Sequence, residues 1–164
     1  MDEAVWEARV AEAWAGFEQR TEPEFLALIE KLAVEAPGAD GAADFERACS
    51  YDSTGHPDRA VPLYQAALHR GLTGERRRRA VIQMASSVRN LGRPEESVAL
   101  LTAELDNGSD HLDDALRATL ALALTDLGRE REAVSMLVTA LARHLPRYQR
   151  SMRNYARLLL EPST

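Results

Sequence analysis

Apolar residues recur along this chain at steps of three and four rather than two, so helices are expected throughout. Near the start, Trp6, Val10, Ala13, Trp14 and Phe17 trace one face of an amphipathic helix. The stretch TEPE follows, in which Thr21 and Glu24 have the spacing of a capping box and Pro23 sits near a helix start. A second stripe, Phe25, Leu28, Ile29 and Leu32, runs until APGADG ends it. At the other end Pro146 breaks the chain, and Leu145, Tyr148, Met152, Tyr155 and Leu159 form a last stripe. Trp6, Trp14, Tyr148 and Tyr155 are expected in the core, because the two flanking elements must cover the open ends of whatever lies between them.

Between the flanks the pattern repeats. GHPDRAVPLYQAAL begins at Gly55, GRPEESVALLTAEL at Gly92 and GREREAVSMLVTAL at Gly128, offsets of 37 and 36 residues that align without a gap. After the glycine come Val61, Val98 or Val134, then an apolar pair (Leu63 with Tyr64, Leu100 with Leu101, Met136 with Leu137), then Leu68, Leu105 or Leu141. Before it, Ala48, Ala85 and Ala121 stand seven residues upstream and Tyr51, Val88 and Leu124 four, which is helical spacing on a single face. The small residue admits a second helix closely, and the glycine takes the left-handed conformation that ends the first. Pro57 and Pro94 suit the first turn of the second helix. Each unit is therefore two helices joined by a glycine turn.

On these residues the chain resembles tetratricopeptide repeat proteins over roughly residues 41 to 145. The carriers are Ala48, Tyr51, Gly55, Ala60, Tyr64 and Ala67, then Ala85, Val88, Gly92, Ser97 and Leu101, then Ala121, Leu124, Gly128, Ala133, Leu137 and Ala140. DFERACSYDSTGHPDRAVPLYQAALHRGL, SSVRNLGRPEES and LPRYQRSMRNYARLLL are similar to a small bacterial group of such proteins, for which protein interaction and dimer formation have been proposed. The resemblance implies an all-α, right-handed superhelical array of antiparallel helix pairs, about nine helices in one domain. Its parts would be an N-terminal hairpin at 1–36, repeats at 41–72, 75–107 and 111–144, and a capping helix at 146–161. These repeats are two or three residues longer than the usual 34, and Ser97 and Glu104 stand where alanine and a small residue are expected. An unrelated array of helical hairpins with the same spacing is the structural alternative.

The resemblance also implies a binding surface. In such proteins the first helix of each repeat lines a concave groove that receives an extended peptide or a partner helix. Carried over by position, the groove-facing residues of the middle repeat are Arg79, Ile82, Gln83, Ser86, Arg89 and Asn90. The first repeat supplies Phe45, Cys49, Asp52 and Ser53, and the third Ala115, Ala118, Thr119, Leu122, Thr125 and Asp126. Phe45, Arg79, Ile82, Gln83, Ser86, Arg89 and Asn90 are the candidate partner-binding residues. Arginine forks make charge-assisted bonds to carboxylates and carbonyls, with Gln83 and Asn90 suited to orient an extended chain. The competing expectation is that Arg79 and Arg89 pair within the chain, with Glu46 or Asp52. Relatives that clamp a C-terminal carboxylate use Lys and Asn where Phe45 and Cys49 stand here, so that ligand is not implied.

Composition adjusts this picture at its margins. The 164 residues, 45% hydrophobic and 28% charged, suffice for one domain whose core needs no disulfide or metal. The longest apolar runs, such as ATLALAL at 118–124, are too short to span a membrane, and MDEAVWEARV resembles neither a secretory signal nor a transit peptide, so a cytoplasmic location is expected. The formal charge is -6, with 12 acidic against 3 basic residues in the first 46. GERRRR at 74–79 raises the alternative of a nucleic-acid-associated regulator using Arg76 to Arg79. With Thr73 as cap and Glu75 in the first turn, that run opens a helix, and successive residues turn by about 100°. Only Arg79 then faces the groove, and nucleic acid is not the expected partner. No catalytic residue, cofactor or metal site is expected. The four histidines form no i, i+4 pair, DHLDD at 110–114 lacks the spacing of a calcium loop, no glycine-rich phosphate loop is present, and Cys49 is the sole cysteine. The function expected is a non-enzymatic interaction module that binds a protein or peptide partner and pairs with a second copy as a homodimer.

Overall fold

A computed structural model describes residues 2–162. Among them are nine α-helices, one short 3-10 turn at Phe17–Gln19 and no strand. The helices are α1 (Glu3–Ala15), α2 (Glu22–Val34), α3 (Ala42–Ser53), α4 (Pro57–His69), α5 (Gly74–Asn90), α6 (Pro94–Asp106), α7 (Asp113–Asp126), α8 (Glu130–Ala142) and α9 (Gln149–Leu158). The chain divides into two compact units, one up to Ser87 and one from Val88, with the boundary inside the last turn of α5.

In the first unit the two predicted stripes meet. Trp6, Val10 and Ala13 of α1 bury against Phe25, Ile29 and Leu32 of α2, and the Trp6 indole N–H donates to the Leu32 carbonyl at 2.7 Å. The first stripe does not end within one helix: α1 stops at Ala15, and Phe17 sits on the 3-10 turn, from which its ring reaches Phe25 edge-on at 4.7 Å. The capping box at α2 forms, with the Glu24 carboxylate accepting from the Thr21 backbone N–H at 2.9 Å and hydroxyl at 2.6 Å. Those bonds hold the Glu24 carboxyl below its ordinary range. In α3 and α4, the alanines at the small-residue places, Ala48, Ala60 and Ala67, are fully buried along with Tyr64.

The three glycine turns share one geometry. The His56 N–H donates to the Tyr51 carbonyl at 2.8 Å and the Gly55 N–H to Asp52 at 3.1 Å. The pair recurs as Arg93 to Val88 (3.2 Å) with Gly92 to Arg89 (2.9 Å), and as Arg129 to Leu124 (3.0 Å) with Gly128 to Thr125 (3.0 Å). Two such bonds around a left-handed residue satisfy the last helical carbonyls, and the glycine φ values of 83°, 75° and 71° are the ones this closure requires.

In the second unit α6, α7, α8 and α9 pack in succession around Leu101, Leu116, Leu120, Ala121, Leu124 and Ala133. Ser97 is completely buried on α6, and its hydroxyl has no hydrogen-bond partner among the described residues. A buried hydroxyl without a partner is destabilising, and alanine is the better helix former. Ser97→Ala is therefore expected to raise stability by about 1 kcal/mol, seen as a higher urea midpoint at unchanged slope; a lower midpoint would show that the hydroxyl is satisfied after all.

The end of the chain departs from expectation. The helix foreseen over 146–161 runs only Gln149–Leu158, because Tyr148 adopts a left-handed φ of 68° and lies outside it. Tyr148 and Tyr155, expected in the core, are 72% and 58% exposed. The close contact explains this: α9 sets Ala156 against α8, where Ser135 donates to the Ala156 carbonyl at 2.7 Å. Met152 and Leu159 are only half-buried beside it.

Candidate functional site

The arginine run at the start of α5 divides by direction, as the helical turn dictates. Arg76 reaches back to α1 and α3. Its two terminal nitrogens meet the two Glu7 carboxylate oxygens at 2.6 and 2.7 Å, and it donates to Glu46 Oε1 at 3.2–3.3 Å. Glu46 also accepts from the Trp14 indole N–H at 2.8 Å, and the Arg76 guanidinium lies 5.5 Å over the Trp6 ring. Its bonds to these carboxylates hold it above the ordinary arginine range. Arg78 is buried. Four arginines in a row thus present no single basic face.

Arg79 is the exposed one that the groove positions predict. Its guanidinium lies 5.2 Å over the Phe45 ring, a cation–π distance, and among the described residues it makes no ion pair. Gln83, one turn on, is half-buried and accepts from the Cys49 thiol at 3.5 Å, with Ser86 also half-buried further along.

Two of the groove residues read from position alone are not surfaces a ligand reaches. Phe45 has no exposed area at all, being covered by Arg79 and set 6.2 Å from the Tyr64 ring, and Ile82 is buried. Both hold the floor beneath the exposed side chains. Arg89, in the second unit, is engaged, though not with Glu46 or Asp52: it forms a two-point ion pair with Asp126, at 2.6 and 3.0 Å. Asn90 is exposed.

Beneath Arg79 and Gln83 lies a buried polar cluster that sequence reasoning did not assemble. Asp52 accepts from the Ser87 hydroxyl at 2.7 Å and the Tyr64 hydroxyl at 3.3 Å, and the Tyr64 oxygen lies 3.6 Å from the Cys49 sulfur. The only hint of it was a serine at 87 on an otherwise apolar face. Burial raises the Asp52 carboxyl above its ordinary range and pushes the Cys49 thiol up to about 12, with Glu46 adding to the shift on the thiol. A thiol so rarely ionised is not a nucleophile. The cluster ties α3, α4 and α5 together and is not poised for chemistry.

Among the described residues no group of three or more His, Cys, Asp or Glu could hold a metal ion, and no helix is long and apolar enough to cross a membrane. Residues 41–159 match the tetratricopeptide repeat family. No curated protein matches the chain.

Proposed function

The chain belongs to the tetratricopeptide repeat family, and on that premise we propose that it is a non-enzymatic interaction module whose α3–α5 face receives an extended peptide or helix of a partner protein. The observation that carries this reading is Arg79. It is exposed and preoriented over Phe45, carries no internal ion pair among the described residues, and stands one turn from a half-buried amide at Gln83. A guanidinium held by stacking keeps its fork of donors for a carboxylate or a row of carbonyls, and loses less freedom on binding than a mobile side chain does. The ligand that fits is an extended segment with an acidic residue at that point.

Pairing of two copies belongs to the same reading, supported by the leucine and valine side chains left exposed on the second unit. The test of the groove is selection of peptides from a display library on the wild-type protein, followed by calorimetric titration. Arg79→Glu is expected to weaken the selected acidic peptides at least roughly tenfold, by replacing an attraction with a like-charge contact. Arg89→Ala, already engaged by Asp126, should weaken them far less. Unchanged affinity in Arg79→Glu would end the proposal.

A further inference from the structure

Acidic residues are missing from one part of the chain. There are 26 Asp and Glu among the 164 residues, yet none over the 28 residues from 133 to 160, which carry Arg143, Arg147, Arg150, Arg153 and Arg157. The last helix, α9, lies wholly within that stretch. Each of the eight helices before it has Asp or Glu in its first turn, where negative charge suits the helix dipole. In α9 the first turn has none, and Arg150 stands there instead. Arg150 with Arg153, and Arg153 with Arg157, are also like-charged neighbours three and four residues apart, a spacing that weakens a helix. The charge of α9 is therefore arranged against its own stability, and the fold does not account for it.

Helical geometry gathers Arg150, Arg153 and Arg157 into one row, about 10 Å long and within about 60° of arc. All three are exposed, on a side turned away from the one that carries Ala156, Met152 and Leu159. Arg157 is held by Glu161 and by the Asn154 amide oxygen, the latter at 3.2 Å. Arg150 and Arg153 make no ion pair among the described residues. Their guanidinium forks keep their donors for an acceptor from outside the chain.

We infer that this row docks an α-helix of a partner protein that carries carboxylates at i, i+3 and i+7. Charge fixes the sign of the partner and spacing fixes its shape. Steps of three and four residues set the arginines about 4.5 and 6 Å apart along the axis, and the same steps on a partner helix reproduce both. Side chains on one side of an extended strand recur about every 6.7 Å and fall out of register by the third. A nucleic acid or an anionic membrane fits less well. Either spreads its charge far past the length of the row, and the second unit as a whole holds 11 acidic residues against 10 arginines. A second copy offers no matching row, because in the acidic first unit Glu7, Glu22, Glu24, Glu30, Glu35 and Glu46 are already bonded within the chain. The row belongs to the second unit and stands independently of the α3–α5 face.

Two alanine-based helical peptides of equal composition test this, one with three glutamates in a row at i, i+3 and i+7, the other with them spread around the helix. The α3–α5 face is itself expected to take acidic segments, so the titration is made on isotope-labelled, full-length Arg79→Glu and followed by NMR at low salt. The row peptide is expected to shift the amides of α9 and to bind at least roughly fivefold tighter than the spread one, with both weakening as salt rises. Reversing Arg150→Glu, Arg153→Glu and Arg157→Glu together is expected to weaken it at least roughly tenfold and to admit a peptide with arginines in the same row. That reversal puts an acid in the first turn, so helical ellipticity is expected to hold or rise. The milder Arg153→Gln should cost roughly threefold, and Arg129→Glu, on α8, should cost nothing. Equal affinity for the two peptides, shifts that fall away from α9, or binding untouched by the reversal each overturns the inference. A single-stranded oligonucleotide or an anionic phospholipid vesicle that binds the row more tightly than the peptide overturns it in favour of a polyanion. None of these results bears on the groove, which Arg79→Glu has already taken out of the measurement.

Discussion

Replacing Gly41 with alanine is expected to destabilise the protein by about 3–5 kcal/mol, far more than the same change at any of the three repeat turns. Gly41 caps the start of α3 with a left-handed φ of 89°. A Cβ there would stand 2.3 Å from the Ala67 carbonyl oxygen and 2.9 Å from the adjoining carbonyl carbon and Cα. Those are backbone atoms of a buried turn of α4, so the clash has no flexible side chain to relieve it. Gly55 separates the two contributions. Its φ is 83° but nothing lies within 4 Å of where its Cβ would go, so Gly55→Ala carries only the conformational part, about 1–2 kcal/mol. Urea unfolding of the two variants side by side measures the difference. Equal losses would mean that α3 and α4 part easily at this point.

The second large effect is expected from Arg76→Ala, about 2–4 kcal/mol. The arginine itself is partly exposed, and its pair with Glu7 lies in partly solvated surroundings. The larger share comes from Glu46, whose side chain is almost wholly buried and would keep the Trp14 indole but lose its cation. An uncompensated buried carboxylate is the costly remnant. Arg79→Ala, three residues on and free of ion pairs among the described residues, loses only its stacking over Phe45 and should cost about 0.5–1 kcal/mol. Loss of Arg76 should also speed amide exchange along α1 in particular, since its pair with Glu7 spans 69 residues of chain to hold that helix. A midpoint for Arg76→Ala that matches Arg79→Ala would contradict this account.

What was legible in the sequence follows from how local the causes are. A glycine that must turn left-handed, a small residue seven places before it and a proline after it each act through their own few neighbours. The helix pairs and their turns could be placed without knowing what surrounds them. Thr21 and Glu24 were legible for the same reason. Side-chain partnerships over long separations were not. Nothing near Arg76 signals that it, and not Arg79, is tied down by Glu7 and Glu46, because those carboxylates come close only after α1, α3 and α5 have folded together.

Phe45 teaches the same lesson from the other side. Its place before the turn glycine marks it as groove-facing, yet an aromatic ring offers so much area that Arg79 and Tyr64 close over it, and the exposed function passes to the arginine above. The end of the chain was misjudged for a related reason. The stripe of Tyr148, Met152 and Tyr155 has helical spacing, but spacing does not say which side of α8 the helix will choose. A close alanine contact at Ala156, with a serine hydrogen bond beside it, decided that choice.

Both tryptophans of the chain, Trp6 and Trp14, belong to α1, and the second unit has none. One is sealed in the hairpin core and the other bonded to Glu46. Tryptophan emission, excited where tyrosine no longer absorbs, therefore reports the melting of the first unit alone, whereas far-UV ellipticity sums all the helices. Superimposable transitions from the two signals would mark the chain as a single cooperative system, and separated ones would resolve the stability of each unit in a single titration without any label.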